Sequence, residues 1–149
     1  MALRDGQSRR VIGPASVWGG RLSRDGRWLV YGLLEAGTFG VYVTPFPEAG
    51  TRWLIAQGTD PAWAPDDSEI YYRSANRLMA ARLDKTAGVR VLSHRLVIEP
   101  FLPPLYDDYD VHPDGRTLVL VQPSSGTPVG EVSMILNWPE ELKRVAPDR

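Results

Sequence analysis

The seven-residue stretch Tyr106-Asp107-Asp108-Tyr109-Asp110-Val111-His112 holds three carboxylates, two phenols and one of the chain's two histidines. Carboxylate and phenol oxygens so close together are hard donors of the kind calcium takes. Carboxylates joined by an imidazole are what a metal-assisted hydrolase uses to hold an ion and activate water. A hydrolase of that kind would be built on Asp107, Asp108, Asp110 and His112. A binding site would draw on Tyr106, Asp107, Asp108, Asp110 and His112 at the mouth of a channel. The spacing is not that of a twelve-residue calcium loop, and the plain alternative is a solvated acidic loop entering a turn.

Other chemistries find little to work with. The absence of cysteine removes disulfides, thiolate metal sites and thiol nucleophiles. His94 and His112 are the only histidines, and neither has a second histidine three to five residues away, as a zinc site on one helix needs. No Gly-x-Ser-x-Gly elbow occurs, and the stretch Ser124 to Gly130 lacks the lysine of a phosphate cradle and reads as a long hairpin loop. We therefore assign no catalytic residue, no metal ligand set and no cofactor from the sequence. Tyr42, Phe46, Tyr71 and Tyr72 fit either a peptide-binding face or ordinary strand packing.

The elements that would position these residues announce themselves by repetition. Leu22-Ser23-Arg24-Asp25-Gly26-Arg27-Trp28-Leu29-Val30-Tyr31 is echoed by Trp63-Ala64-Pro65-Asp66-Asp67-Ser68-Glu69-Ile70-Tyr71-Tyr72. It returns as Val111-His112-Pro113-Asp114-Gly115-Arg116-Thr117-Leu118-Val119-Leu120. The aspartates are 41 and then 48 positions apart, within the ~40 to 50 residues of a four-stranded propeller blade. Each copy reads as a hairpin corner: Pro65 and Pro113 preset φ, while Asp25, Asp66 and Asp114 bond nearby amides. Gly26 and Gly115 accept positive φ, and Asp67 tolerates it in the middle copy. His112 stands where Ser23 and Ala64 stand, which predicts a packing or capping role at its corner.

Apolar runs follow each corner (Trp28 to Leu34, Ile70 to Tyr72, Leu118 to Val121), as in strands covered on both faces. Further strands are predicted over Gly40 to Thr44, Arg52 to Ala56, Arg77 to Leu83 and Arg95 to Ile98. The expected class is all-β: one blade over about 18–56, a second over about 60–98 and a partial third over about 106–138. A short helix is expected over about 139–145, where proline and acids precede bases in the sense of the macrodipole.

These motifs, with Val41-Tyr42-Val43-Thr44-Pro45-Phe46-Pro47 and Arg73 to Met79, resemble the WD40-like propeller repeats of TolB and its relatives. The resemblance runs from about Gly20 to Trp138. More narrowly, the order RDGRWLVY, VYVTPFP, PAWAPDDSEIYYRS, RLMAARL, YDVHPDG and LNWPEELKR is similar to the end of the propeller attached to some bacterial serine/threonine kinases. Kinase activity does not come with it, because the glycine-rich loop, His-Arg-Asp and Asp-Phe-Gly are missing. The resemblance implies a non-catalytic interaction or sensor module for a protein or small ligand, or a regulatory segment of a kinase-like protein.

Seventeen basic against eighteen acidic residues give a net charge of −1, which argues against a nucleic-acid or membrane-surface partner. Met1 to Arg10 carries three arginines and no apolar stretch of signal-peptide length, and no window approaches a membrane span. A soluble chain is the expectation. About three blades fall short of the ~4 to 8 that usually close a ring, so the expected partners are another protein or a second copy, two copies making six blades.

Overall fold

Val, Leu, Ile and Tyr dominate short runs separated by glycine- and aspartate-bearing turns, a composition that suits pleated, buried strands. The computed structural model describes residues 12, 16–48, 50–101, 109–122 and 131–135. Its strands are β1 (Ser16–Leu22), β2 (Trp28–Glu35), β3 (Thr38–Pro45), β4 (Trp53–Gln57), β5 (Thr59–Trp63), β6 (Glu69–Ser74), β7 (Arg77–Asp84), β8 (Arg90–Ile98), β9 (Tyr109–Val111), β10 (Leu118–Gln122) and β11 (Glu131–Ile135). They form three antiparallel sheets in chain order: β1 to β4, β5 to β8, and a three-stranded sheet with β10 in the middle. The expected helix over 139–145 lies outside the described residues.

The two four-stranded sheets are meanders with tight connections. The β2–β3 hairpin turns on Ala36 and Gly37 and the β6–β7 hairpin on Ala75 and Asn76, with positive φ at Ala36, Gly37 and Ala75. Positive φ at the first central position matches the right-handed twist of the flanking strands. Strand β8 begins at Arg90, five residues before the expected Arg95. The reason is pairing: past a register shift between Arg82 and Leu83, Asp84 opposes Arg90, and their side chains meet at 2.8 Å.

The second sheet is covered on both faces. Ile70 and Tyr72 enter a core shared with Val30, Val41, Val43 and Ile55 of the first sheet. Tyr71, between them, points the other way into a core with Ala80, Val97, Phe101, Tyr109, Leu118 and Leu120. Period-two alternation therefore sends successive side chains of one strand into two different cores, which is why β6 reads as a continuous apolar run.

The three corners close alike. The N–H groups of Ser23, Ala64 and His112 donate to the carbonyls of Trp28, Glu69 and Thr117, at 2.8, 2.9 and 2.9 Å. Gly26, Asp67 and Gly115, at φ 69, 58 and 68°, donate back to the carbonyls of the same three residues at 2.9 Å. The carboxylates of Asp25, Asp66 and Asp114 accept the N–H two positions on, from Arg27, Ser68 and Arg116. The Ser23 hydroxyl, followed by the Arg27 amide, holds Asp25 down to about 2. The Arg116 amide, helped by Thr117, does the same for Asp114, also about 2, and the Ser68 amide lowers Asp66.

A carboxylate whose pKa is lower folded than unfolded stabilises fully above the unfolded value, near ~3.9, and that contribution is lost as pH falls through the folded value. The melting temperature is expected to stay level from neutral pH down to about 5 and to fall between about pH 4 and pH 2. Circular-dichroism melts across that range test this; a flat profile down to pH 2 would show that the corners do not depend on ionised aspartates.

Candidate functional site: the corner face

The corners lie side by side, and one side chain ties the first to the second. Asp67 is buried, and its carboxylate accepts the Arg24 N–H at 2.8 Å with one oxygen and the Asp25 N–H at 3.2 Å with the other. Two amides that the first corner leaves unused are thereby satisfied by a charged acceptor. The Trp63 indole N–H adds a bond to the Arg21 carbonyl at 3.1 Å. Between the second and third corners the arrangement differs. Pro65 has no N–H to offer, and Gly115 faces its ring, with Cγ and Cδ 3.9 Å from where a side-chain carbon on residue 115 would sit.

A cavity of about 430 Å³ opens where the three corners meet, lined by Arg24, Pro65, Asp66, Glu69, Tyr71, Arg95 and the Pro113-to-Arg116 turn among others. Arg95 grips Glu69 with both ends of its guanidinium, the shorter contact being 2.6 Å, and lies 5.9 Å from the Tyr71 ring centre. Burial works against the Arg95 charge, but Glu69 outweighs it and raises the pKa; burial also pushes the Tyr71 phenol up.

The acids lining this cavity are already engaged. Asp66 accepts the Ser68 N–H and hydroxyl at 3.0 and 2.7 Å, and Asp114 accepts two amides and the Thr117 hydroxyl. Arg24 and Arg116 are exposed, and their guanidiniums have no hydrogen bond or ion pair among the described residues. Among the described residues the polar capacity left uncommitted at the cavity is that of these two guanidiniums and of Asp66 Oδ2, which neither Ser68 contact uses. The Ser68–Asp66 contact does not make a nucleophile and base, because Asp66 is made less basic and the same hydroxyl–carboxylate contact recurs at Ser23–Asp25 and Thr117–Asp114 as part of the turn.

Of the acidic stretch singled out in the sequence, Tyr106, Asp107 and Asp108 lie outside the described residues. Asp110 is exposed on β9 and accepts the N–H of Val111 at 2.8 Å. His112 sits on the third corner, its Nδ1 3.2 Å from the Asp114 amide nitrogen and 3.2 Å from its carboxylate. Tyr109 is buried, with its hydroxyl donating to the Asp60 carbonyl at 2.6 Å and its ring edge-on to Phe101. Among the described residues no three acids or histidines are grouped to hold a metal ion. Tyr71 and Tyr72 are core residues, Phe46 is half-buried, and Tyr42 stacks on Tyr31 beneath the Arg52 guanidinium.

With sheets and corners placed, the comparison with solved structures is informative. The chain is similar to a TolB-like protein from Agrobacterium tumefaciens, with a TM-score of 0.52 and 17% identity over 84% of this chain and 46% of that one. The likeness shows a TolB-type propeller fold. The sheets are therefore blades, and the chain spans about half the length of that protein. No family model and no curated protein sequence matches the chain.

Replacing Asp67 by glycine relieves its positive φ but removes two charge-assisted bonds between blades. The bonds outweigh the strain, so Asp67→Gly is expected to destabilise by about 1–2 kcal/mol. Urea unfolding checks this; a neutral or stabilising result would show that the contact contributes nothing.

Proposed function

We propose that the chain is a non-catalytic interaction module that receives an anionic group of a protein or small ligand on its corner face. The observation that carries this reading is the cavity between the corners, where Asp66 and Asp114 are bonded within their own turns, Glu69 is paired with Arg95, and the guanidiniums of Arg24 and Arg116 are engaged by none of them. Arginine forks suit carboxylate and phosphate groups, and Tyr71 offers an aromatic wall beside them. The propeller fold is consistent with binding rather than chemistry, since blades present loops and clefts on a rigid frame.

The narrower relation, to the regulatory propeller of a bacterial serine/threonine kinase-like protein, is supported by the order of motifs from RDGRWLVY to LNWPEELKR. In that setting the corner face would act by engaging the kinase domain or its ligand.

Titration of the labelled protein with a glutamate-rich peptide, followed by two-dimensional NMR, tests the reading. Shifts are expected at Arg24, Tyr71, Arg95 and Arg116, with affinity falling about tenfold or more in the Arg24→Ala, Arg116→Ala double variant. Inorganic phosphate as a second titrant distinguishes a phosphate site from a carboxylate one. Unperturbed corner resonances with both titrants would end the proposal.

A further inference from the structure

The two corner contacts within the chain obey a pairing rule. Where the upstream corner presents an amide, at Arg24, the downstream corner answers with the carboxylate of Asp67. Where the upstream corner presents proline, at Pro65, the downstream corner answers with Gly115, whose bare Cα lets the ring approach. The first corner carries Gly26 at that answering position, and no atom lies within 4 Å of where its side-chain carbon would stand. By the same rule, Gly26 is shaped for an upstream corner that begins with proline. Pro113 is such a residue, exposed on the third corner.

The face around Gly26 has the character of an interface. Ile70 and Tyr72 in the second blade, and Leu118 and Leu120 in the third, are buried against the blade before them. Their counterparts in the first blade are Leu29 and Tyr31. Tyr31 and Leu33 are covered within the chain, but Leu29 is only half-buried, and on the same face Leu22 and Leu54 remain 48% and 54% exposed. At the position of Leu29 the other two blades carry Ile70 and Leu118, and at that of Leu22 the second carries Trp63, all buried in cores shared with a neighbouring sheet, whereas Leu96, the counterpart of Leu54, stays 45% exposed.

We propose that this face docks the third blade of a second copy of the chain, setting Pro113 of one copy against Gly26 of the other as Pro65 is set against Gly115. Two such contacts, related by a twofold axis, close two three-blade segments into a six-blade ring. The inference rests on the reading of the chain as a blade-built interaction module, and its test separates the two. A well-folded monomer would overturn self-association and leave that reading intact.

Light scattering across a dilution series is expected to show a dimer. Gly26→Asp retains the left-handed conformation, as Asp67 does, but places a carboxylate against a proline that has no N–H. Dimerisation is expected to weaken about tenfold or more. Adding Pro113→Arg supplies the missing amide, recreates the Arg24–Asp67 pairing and should restore association to within a few-fold. Leu22→Glu, at an exposed position whose counterpart Trp63 is buried in the core shared with the blade before it, should also weaken the dimer and keeps the test open if Gly26→Asp does not fold. Any one of three results overturns the proposal: a wild-type monomer at every concentration, a dimer indifferent to both Gly26→Asp and Leu22→Glu, or a Gly26→Asp defect that Pro113→Arg leaves unrelieved.

Discussion

A sheet whose inner strands are apolar on both faces must be covered twice, and that requirement organises this chain. In β6, Ile70 and Tyr72 serve one core and Tyr71 another, so neither core is complete without a neighbouring blade. Burial of apolar area, worth roughly 25 cal/mol per Å², is then gained at the junctions between sheets rather than inside any one of them. Stability in such an array is a sum of contacts between neighbours, as in other repeat architectures.

Blade packing sets the spacing, and the corners set the fine alignment. Identical backbone hydrogen bonds give three turns of one shape, yet the residues around them differ in a way that follows the neighbour rather than the turn. Asp67 suits its own turn no better than glycine would, and its carboxylate satisfies Arg24 and Asp25 on the blade before it. Gly115, facing a proline, has no amide to satisfy and gains by being small. The identity of a turn residue therefore carries information about its partner corner.

This explains which parts of the structure were legible in the sequence. The Asp-Gly, Asp-Asp and Asp-Gly corners, their separation and the apolar runs after them are local patterns, and local patterns survive in a linear reading. The cross-corner bond from Arg24 to Asp67 joins positions 43 residues apart, so the sequence alone marked Asp67 only as tolerant of positive φ. The start of β8 was missed because Arg90 to His94 lies on an outer strand where exposure blurs the alternation that betrays strands elsewhere. The acidic stretch attracted notice by composition, but among its described members Asp110 and His112 bond their own loop and Tyr109 packs in a core. Arg95 stood out in no motif, because its role arises only when β8 carries it beside Glu69 and Tyr71.

The same bookkeeping of hydrogen bonds decides what the corner face has left to offer. Each corner needs an ionised aspartate to hold its turn, so the acids there are engaged before any ligand arrives, with Asp25 and Asp114 drawn down to about 2. Arg27 pairs with Asp25 at the first corner, but Arg24 contributes its backbone amide to Asp67 and Arg116 its own to Asp114, leaving those two guanidiniums outside the turn. Around the cavity the charges balance, Arg24, Arg95 and Arg116 against Asp66, Glu69 and Asp114, and what folding takes up is hydrogen-bond capacity of the acids rather than their charge.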